Sequence, residues 1–230
     1  MLITSKRVRI WDLPTRIFHW ALVIAVVGAF TCVKVGGLYM DWHVYFGCTA
    51  LGLIVFRVLW GIFGPRYARF GTFVRGPRAM MDYVRGRSAY AGHNPLGAYS
   101  VVALLMVFGF QAVSGLFADD DILTQGPLAS YVSSDLSATL TSWHSLNEWV
   151  MIVLVSLHIL AVAWYAIVRR QRIVRAMITG DARSTDVPAT TQPAEDNWRV
   201  WLKALILAAL VSAAVWWILS LQASGATSFM

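Results

Sequence analysis

The chain has 230 residues, of which 58% are hydrophobic and 13% charged, with a formal net charge of +7 and a mean hydropathy of +0.60. Soluble domains carry about 25% charged residues, so this composition excludes an ordinary soluble globule. The apolar residues come in blocks long enough for a bilayer, and the basic excess is distributed by loop, which points to membrane topology and away from nucleic acid.

The N-terminal stretch carries Lys6, Arg7 and Arg9 ahead of a first predicted span at 16–35. This span contains His19. It is too long for a cleaved signal peptide and no small-residue cleavage site closes it. A second span, 43–63, opens on His43 and carries Arg57 towards its far end. The following loop, 64–94, is basic through Arg66, Arg69, Arg75, Arg78, Arg85 and Arg87, and is broken by Gly and Pro. Its middle, PRAMMDYVRG, reads as a short interfacial helix. His93 follows in GHNPLGA, where a surface or hydrogen-bonding role is expected.

A third span, 95–117, holds Gly109, Gln111, Ser114 and Gly115. After it come Asp119, Asp120, Asp121 and Asp135. The fourth span, 143–168, holds His144 and His158, with Asn147 and Glu148 beside the first of them. Arg169, Arg170, Arg172, Arg175 and Arg183 follow, then the polar stretch STDVPATTQPAEDN and a fifth span at 200–221. Each span is near the roughly 20 residues a helix needs to cross the hydrocarbon core, and only a helix satisfies its own backbone there. The basic loops place the N-terminus in the cytoplasm and the C-terminus outside. Cys32 and Cys48 sit in apolar segments and read as packing residues. The tryptophans, among them Trp11, Trp20, Trp42, Trp60, Trp143, Trp198, Trp216 and Trp217, read as an interfacial belt.

Four histidines in spans need a reason, because imidazole is costly in hydrocarbon. His144 and His158 lie fourteen residues apart. At 1.5 Å and about 100° per residue that is about 21 Å along nearly one helix face. They cannot share a metal. Each matches a histidine of similar depth on another helix, His144 with His43 and, more loosely, His158 with His19. Two imidazoles from two helices, twice over, suit two b-type haems in a helical bundle. Gly47, Ala50, Gly52, Gly109, Ser114 and Gly115 offer clearance for a porphyrin, although small residues also serve plain helix packing. Arg57 stands fourteen residues after His43, on the same face and level with His158. Two readings stay open for it: a partner for a haem propionate, or a side chain snorkelling to the cytoplasm.

The pieces RIWDLPTRIFHW, FRVLWGIFGPRYARF, GHNPLGA and WHSLNEWVMIVLVSLHI together resemble the bacterial di-haem cytochrome b561 family, which includes the cytochrome b subunits of nickel–iron hydrogenases. The resemblance runs from about Arg9 to Val168. It implies a four-helix core, two bis-histidine haems on His19, His43, His144 and His158, and electron exchange with membrane quinone. The fifth span lies outside that core.

The expected fold is an all-α integral membrane protein, a four-helix transmembrane haem bundle plus a fifth C-terminal transmembrane helix. Residues 1–180 form the di-haem domain, 181–198 a polar linker and 199–230 the last helix. The expected function is electron transfer across the bacterial inner membrane between the quinone pool and a periplasmic cytochrome or oxidoreductase subunit, as the electron-transfer subunit of a quinone-linked oxidoreductase. The quinone is expected at the inner haem beside Arg57, and the partner over the acidic outer loop. The rivals are a stand-alone superoxide–quinone oxidoreductase, a haem-free transporter, and an anchor subunit.

Overall fold

A computed structural model describes residues 7–120, 122 and 124–227, the side chains of 223–227 excepted. Lys6 and Asp121, named above for their charge, lie outside the described residues. The elements in order are β1 (Arg7–Arg9), α1 (Leu13–Val35), α2 (Met40–Phe63), α3 (Phe70–Phe73), α4 (Pro77–Val84), α5 (Pro95–Leu116), α6 (Ser134–Ile167), α7 (Ile173–Thr179), β2 (Asp181–Arg183) and α8 (Trp198–Thr227). Among the described residues five helices are long and apolar enough to cross a membrane: α1, α2 with the short turn before it, α5, α6, and α8 as far as Gln222. The chain is an all-α integral membrane protein. Its long helices carry large exposed apolar side chains such as Ile24, Val27, Leu160, Leu205 and Leu210, as lipid contact requires.

Three helices begin three or more residues before the hydropathy reading, α1, α2 (at Met40) and α6, and α8 runs on to Thr227. α1 begins three residues early, at Leu13, because Asp12 caps it: the Thr15 backbone N–H donates to Asp12 Oδ1 at 2.9 Å and Pro14 is tolerated in the first turn. α6 begins at Ser134, nine residues before the apolar run. The Leu136 N–H meets Ser133 Oγ, while Thr139, Thr141 and Ser142 return their hydroxyls to carbonyls four residues back. Hydropathy cannot register a polar first turn of this kind. The stretch inside PRAMMDYVRG is helical, as α4.

The chain packs as two compact units. The first contains residues up to Phe18, Arg57–Ala103 and Val155–Leu205; the second contains His19–Phe56, Leu104–Leu154 and the residues from Ile206 on. In the first unit, β1 pairs antiparallel with β2, Val8 opposite Ala182. Ile10, Trp11 and Ala176 form a small core with Tyr67, Ala91 and Met177 packed on it. Trp11 and Trp60, at 8% and 1% exposed, are therefore core residues and not part of an interfacial belt. The stretch between β2 and α8 is tied down. Asp196 accepts from Arg9 Nη1, the Leu13 N–H and Trp201 Nε1, and Gln192 accepts from Arg66 and Tyr67.

In the second unit, Cys48, Leu51 and Leu116 are buried with Val215, Ile218 and Leu219 of α8 against them. Both cysteines are free and buried. The segment after α5 folds back on that helix's last turn. There the Leu128 N–H donates to the Leu116 carbonyl, the Gly126 N–H to Ala118, and Ser137 Oγ to Phe117, satisfying carbonyls a helix end leaves open.

Candidate functional site

In the second unit α2 brings His43 and α6 brings His144 to a ring-centroid separation of 6.1 Å, with ring planes at 88°. Both rings are half-buried. Each is tethered through Nδ1. His43 Nδ1 lies 2.9 Å from the Ala29 carbonyl of α1. His144 Nδ1 lies 3.0 Å from the Gln111 carbonyl and 3.2 Å from Ser114 Oγ on α5. A backbone carbonyl can only accept, so each Nδ1 carries the proton and each Nε2 keeps its lone pair. A metal-ligating histidine is normally held this way, one nitrogen donating to a carbonyl and the other free for the metal.

The spacing can be tested. A metal–imidazole bond is about 2 Å, and adding the ring's own half-width on each side puts two axial imidazoles about 6 Å apart, centre to centre. An edge-on ring pair would also sit at this distance, but such a pair needs neither nitrogen tethered. Among the described residues no group of three or more His, Cys, Asp or Glu side chains gathers into a metal site; the two tethered rings offer paired imidazole ligation. That donor set fits haem iron.

The small residues divide by role. A Cβ on Gly115 would stand 2.8 Å from His144 Cε1, so this glycine seats the ring. Gly47, one turn after His43, has open space around it. Gly52 faces Val215 and Val211 at 3.1 and 3.6 Å; it admits α8 and not a porphyrin. Gly109 is in ordinary contact with Ile54. Asn147 donates to the Val107 carbonyl and to Gln111 Oε1, bracing the turn whose carbonyl holds His144. Glu148 pairs with Lys34 at 2.6 Å, tying α6 to α1.

His19 belongs to the second unit and His158 to the first; each is half-buried on its own helix. His19 meets the Trp20 ring edge-on at 5.0 Å. In the first unit Arg57 is 2% exposed, so it does not snorkel. Its Cζ lies 4.9 Å from the Phe70 ring and 5.8 Å from that of Phe73, and neither Nη1 nor Nη2 has a hydrogen-bond partner among the described residues.

Asp12, fully buried, accepts from Thr15 N–H and Trp60 Nε1 on Oδ1 and from Thr15 Oγ1 on Oδ2. Burial raises its carboxyl above the ordinary 3.8, against the pull of those bonds. Sequence reasoning passed over Asp12 and Trp60. One looks like a plain helix cap and the other like a belt residue, and their contact spans 48 positions. His93 is half-buried and packs between Trp11 and Phe73, at 4.7 and 4.5 Å between ring centres.

The pattern of the family described as prokaryotic cytochrome b561 matches residues 10–180. Probable Ni/Fe-hydrogenase B-type cytochrome subunits are similar over most of their length. That of Azotobacter chroococcum is 24% identical over 209 residues, covering 75% of this chain and 87% of the relative. That of Bradyrhizobium diazoefficiens is 26% identical over 219 residues, covering 78% and 87%. That of Rhizobium leguminosarum is 26% identical over 220 residues, covering 78% and 90%. No solved structure matches. With five apolar helices, a tethered imidazole pair and a family match across residues 10–180, the chain belongs to the prokaryotic cytochrome b561 family and is a multi-pass membrane b-type cytochrome that transfers electrons.

Proposed function

We propose that the chain is a di-haem conduit of the bacterial inner membrane. In this reading it passes electrons between the quinone pool and a redox enzyme docked on the periplasmic side, such as a hydrogenase of the kind its relatives are named for. The observation that carries it is the His43–His144 pair, spaced at 6.1 Å and tethered through both Nδ1 atoms. These two residues hold the first haem. His19 and His158 hold the second, on the strength of helical spacing and family resemblance.

When bound, each haem would supply a one-electron couple, held by a pair of imidazoles: His43 with His144 for the first, His19 with His158 for the second. The residues of the chain do the rest. The Ala29 and Gln111 carbonyls fix the tautomers of His43 and His144. Gly115 gives His144 its room, and Asn147 keeps the Gln111 turn in place. The apolar helices exclude water around the site, which is how a protein tunes a cofactor's potential. The basic loops 64–94 and 169–183 face the cytoplasm, and the acidic segment with Asp119, Asp120 and Asp135 faces outward, where it steers a basic partner.

Rapid mixing of the purified protein with a quinol analogue tests the assignment of sides. Quinol should reduce the b haems. His158→Ala should abolish this reduction, while His144→Ala should leave the remaining haem reducible. If His144→Ala abolishes it and His158→Ala does not, quinone and partner have been placed on the wrong sides.

A further inference from the structure

We propose that Arg57 is a buried carboxylate receptor whose ligand is a propionate of the second haem, and that Asp12, Thr15 and Trp60 hold its helix turn in place. The proposal rests on the di-haem reading above.

A guanidinium at 2% exposure has lost its water and needs compensation in protein. Phe70 and Phe73 cover its face, but aromatic rings accept no ordinary hydrogen bond from both arms of the fork. Nη1 and Nη2 remain without a partner among the described residues. The nearby acid, Asp12, is within electrostatic reach of Arg57 but does not chelate it. Its two oxygens are taken by Thr15 N, Thr15 Oγ1 and Trp60 Nε1. Trp60 stands one turn beyond Arg57 on α2, so its bond to Asp12 fixes the turn that carries the guanidinium. The result is a rigid, desolvated cation with both terminal nitrogens unspent. That geometry suits one planar, two-oxygen anion held bidentately.

The anion must itself be buried in the membrane domain. A haem propionate meets that condition, and His158, proposed as an axial ligand, belongs to the same unit as Arg57. A lipid phosphate has the same fork chemistry. It would approach by the open groove of about 480 Å³ lined by Gly61, Ile62, Arg69, Phe70, Gly71 and Thr72. Arg57 does not line that groove. The Phe70 ring, packed into the space Gly61 leaves, stands at its wall, and Arg69 is the cation a headgroup would meet there.

The test is a potentiometric titration of the purified full chain with its haems, comparing wild type, Arg57→Gln, Arg57→Lys and Trp60→Phe. The titration step that disappears in His158→Ala identifies the second haem. Arg57→Gln should keep the haem count and move that step to lower potential by at least tenfold in the redox equilibrium, about 59 mV for one electron, leaving the other step in place. Arg57→Lys should move it less. If Arg57→Gln does not yield folded protein, Trp60→Phe carries the test, with a smaller shift of the same step.

If the wild type titrates two haems and neither variant moves the second step, or both steps move together, the proposal fails while the di-haem reading stands. If native mass spectrometry shows Arg57→Gln losing an anionic phospholipid with both steps unmoved, the receptor serves a lipid and the proposal is overturned. If the wild type binds no haem, the di-haem reading itself falls.

Discussion

His43 and His93 each stand at the start of a predicted span, and their neighbours give them different surroundings. His43 has one nitrogen bound to a helix carbonyl and faces a second imidazole; His93 is wedged between aromatic rings. The same contrast holds for glycines. Gly115 is where a Cβ would strike His144 at 2.8 Å, whereas Gly76 has open space. A Val at 115 would have to push the imidazole from its seat, because helix backbones around it cannot give way cheaply. Gly115→Val should therefore lower haem occupancy at the His43–His144 pair to well under half, while Gly76→Ala leaves it unchanged. Haem per chain by pyridine haemochrome checks both. The four histidines and Arg57 were legible as candidates because charge and imidazole stand out in apolar runs. Their tethers were not, since a carbonyl contributed by Ala29 or Gln111 leaves no mark in the sequence.

At the scale of elements, hydropathy places the five long helices and misses what is polar about their ends. The first two turns of α6 are rich in Ser and Thr, and the start of α1 depends on one carboxylate. Asp12 both caps α1 and receives Trp60 of α2, so it locks two helix ends together. Its carboxyl is raised above 3.8, first by burial. A carboxyl with a raised folded value binds its proton more tightly folded than unfolded. Its contribution to stability is thus complete below the unfolded value and is lost as pH rises through the folded one. Thermal unfolding in detergent from about pH 4 to about pH 7 should show that loss in wild type. Asp12→Asn, which cannot ionise, should lose less over the same range. Equal slopes would remove Asp12 as the cause. β1, β2 and the Asp196 contacts escaped sequence reading for a related reason: their partners lie more than 170 residues apart, and three-residue strands show no periodicity.

For the whole molecule, the sequence argues for sidedness through where its arginines fall, and the family match covers residues 10–180, leaving α8 outside it. α8 nevertheless packs on Gly52, Cys48 and Leu51 in the second unit, so it is joined to the same unit as the His43–His144 pair. Reporter fusions after Ile178 and after Met230 should report opposite compartments, the first cytoplasmic. Both on one side would remove the five-span arrangement and with it the outward placement of the acidic segment.

In the proposed arrangement four histidines hold two haems in two independent pairs, His43 with His144 and His19 with His158. A potentiometric titration of the purified chain, followed in the b-haem absorbance, tests it most directly. Wild type should titrate in two one-electron steps, with His144→Ala and His158→Ala each losing a different one. A single step in wild type, or the same step lost in both variants, would rule out two independent histidine pairs.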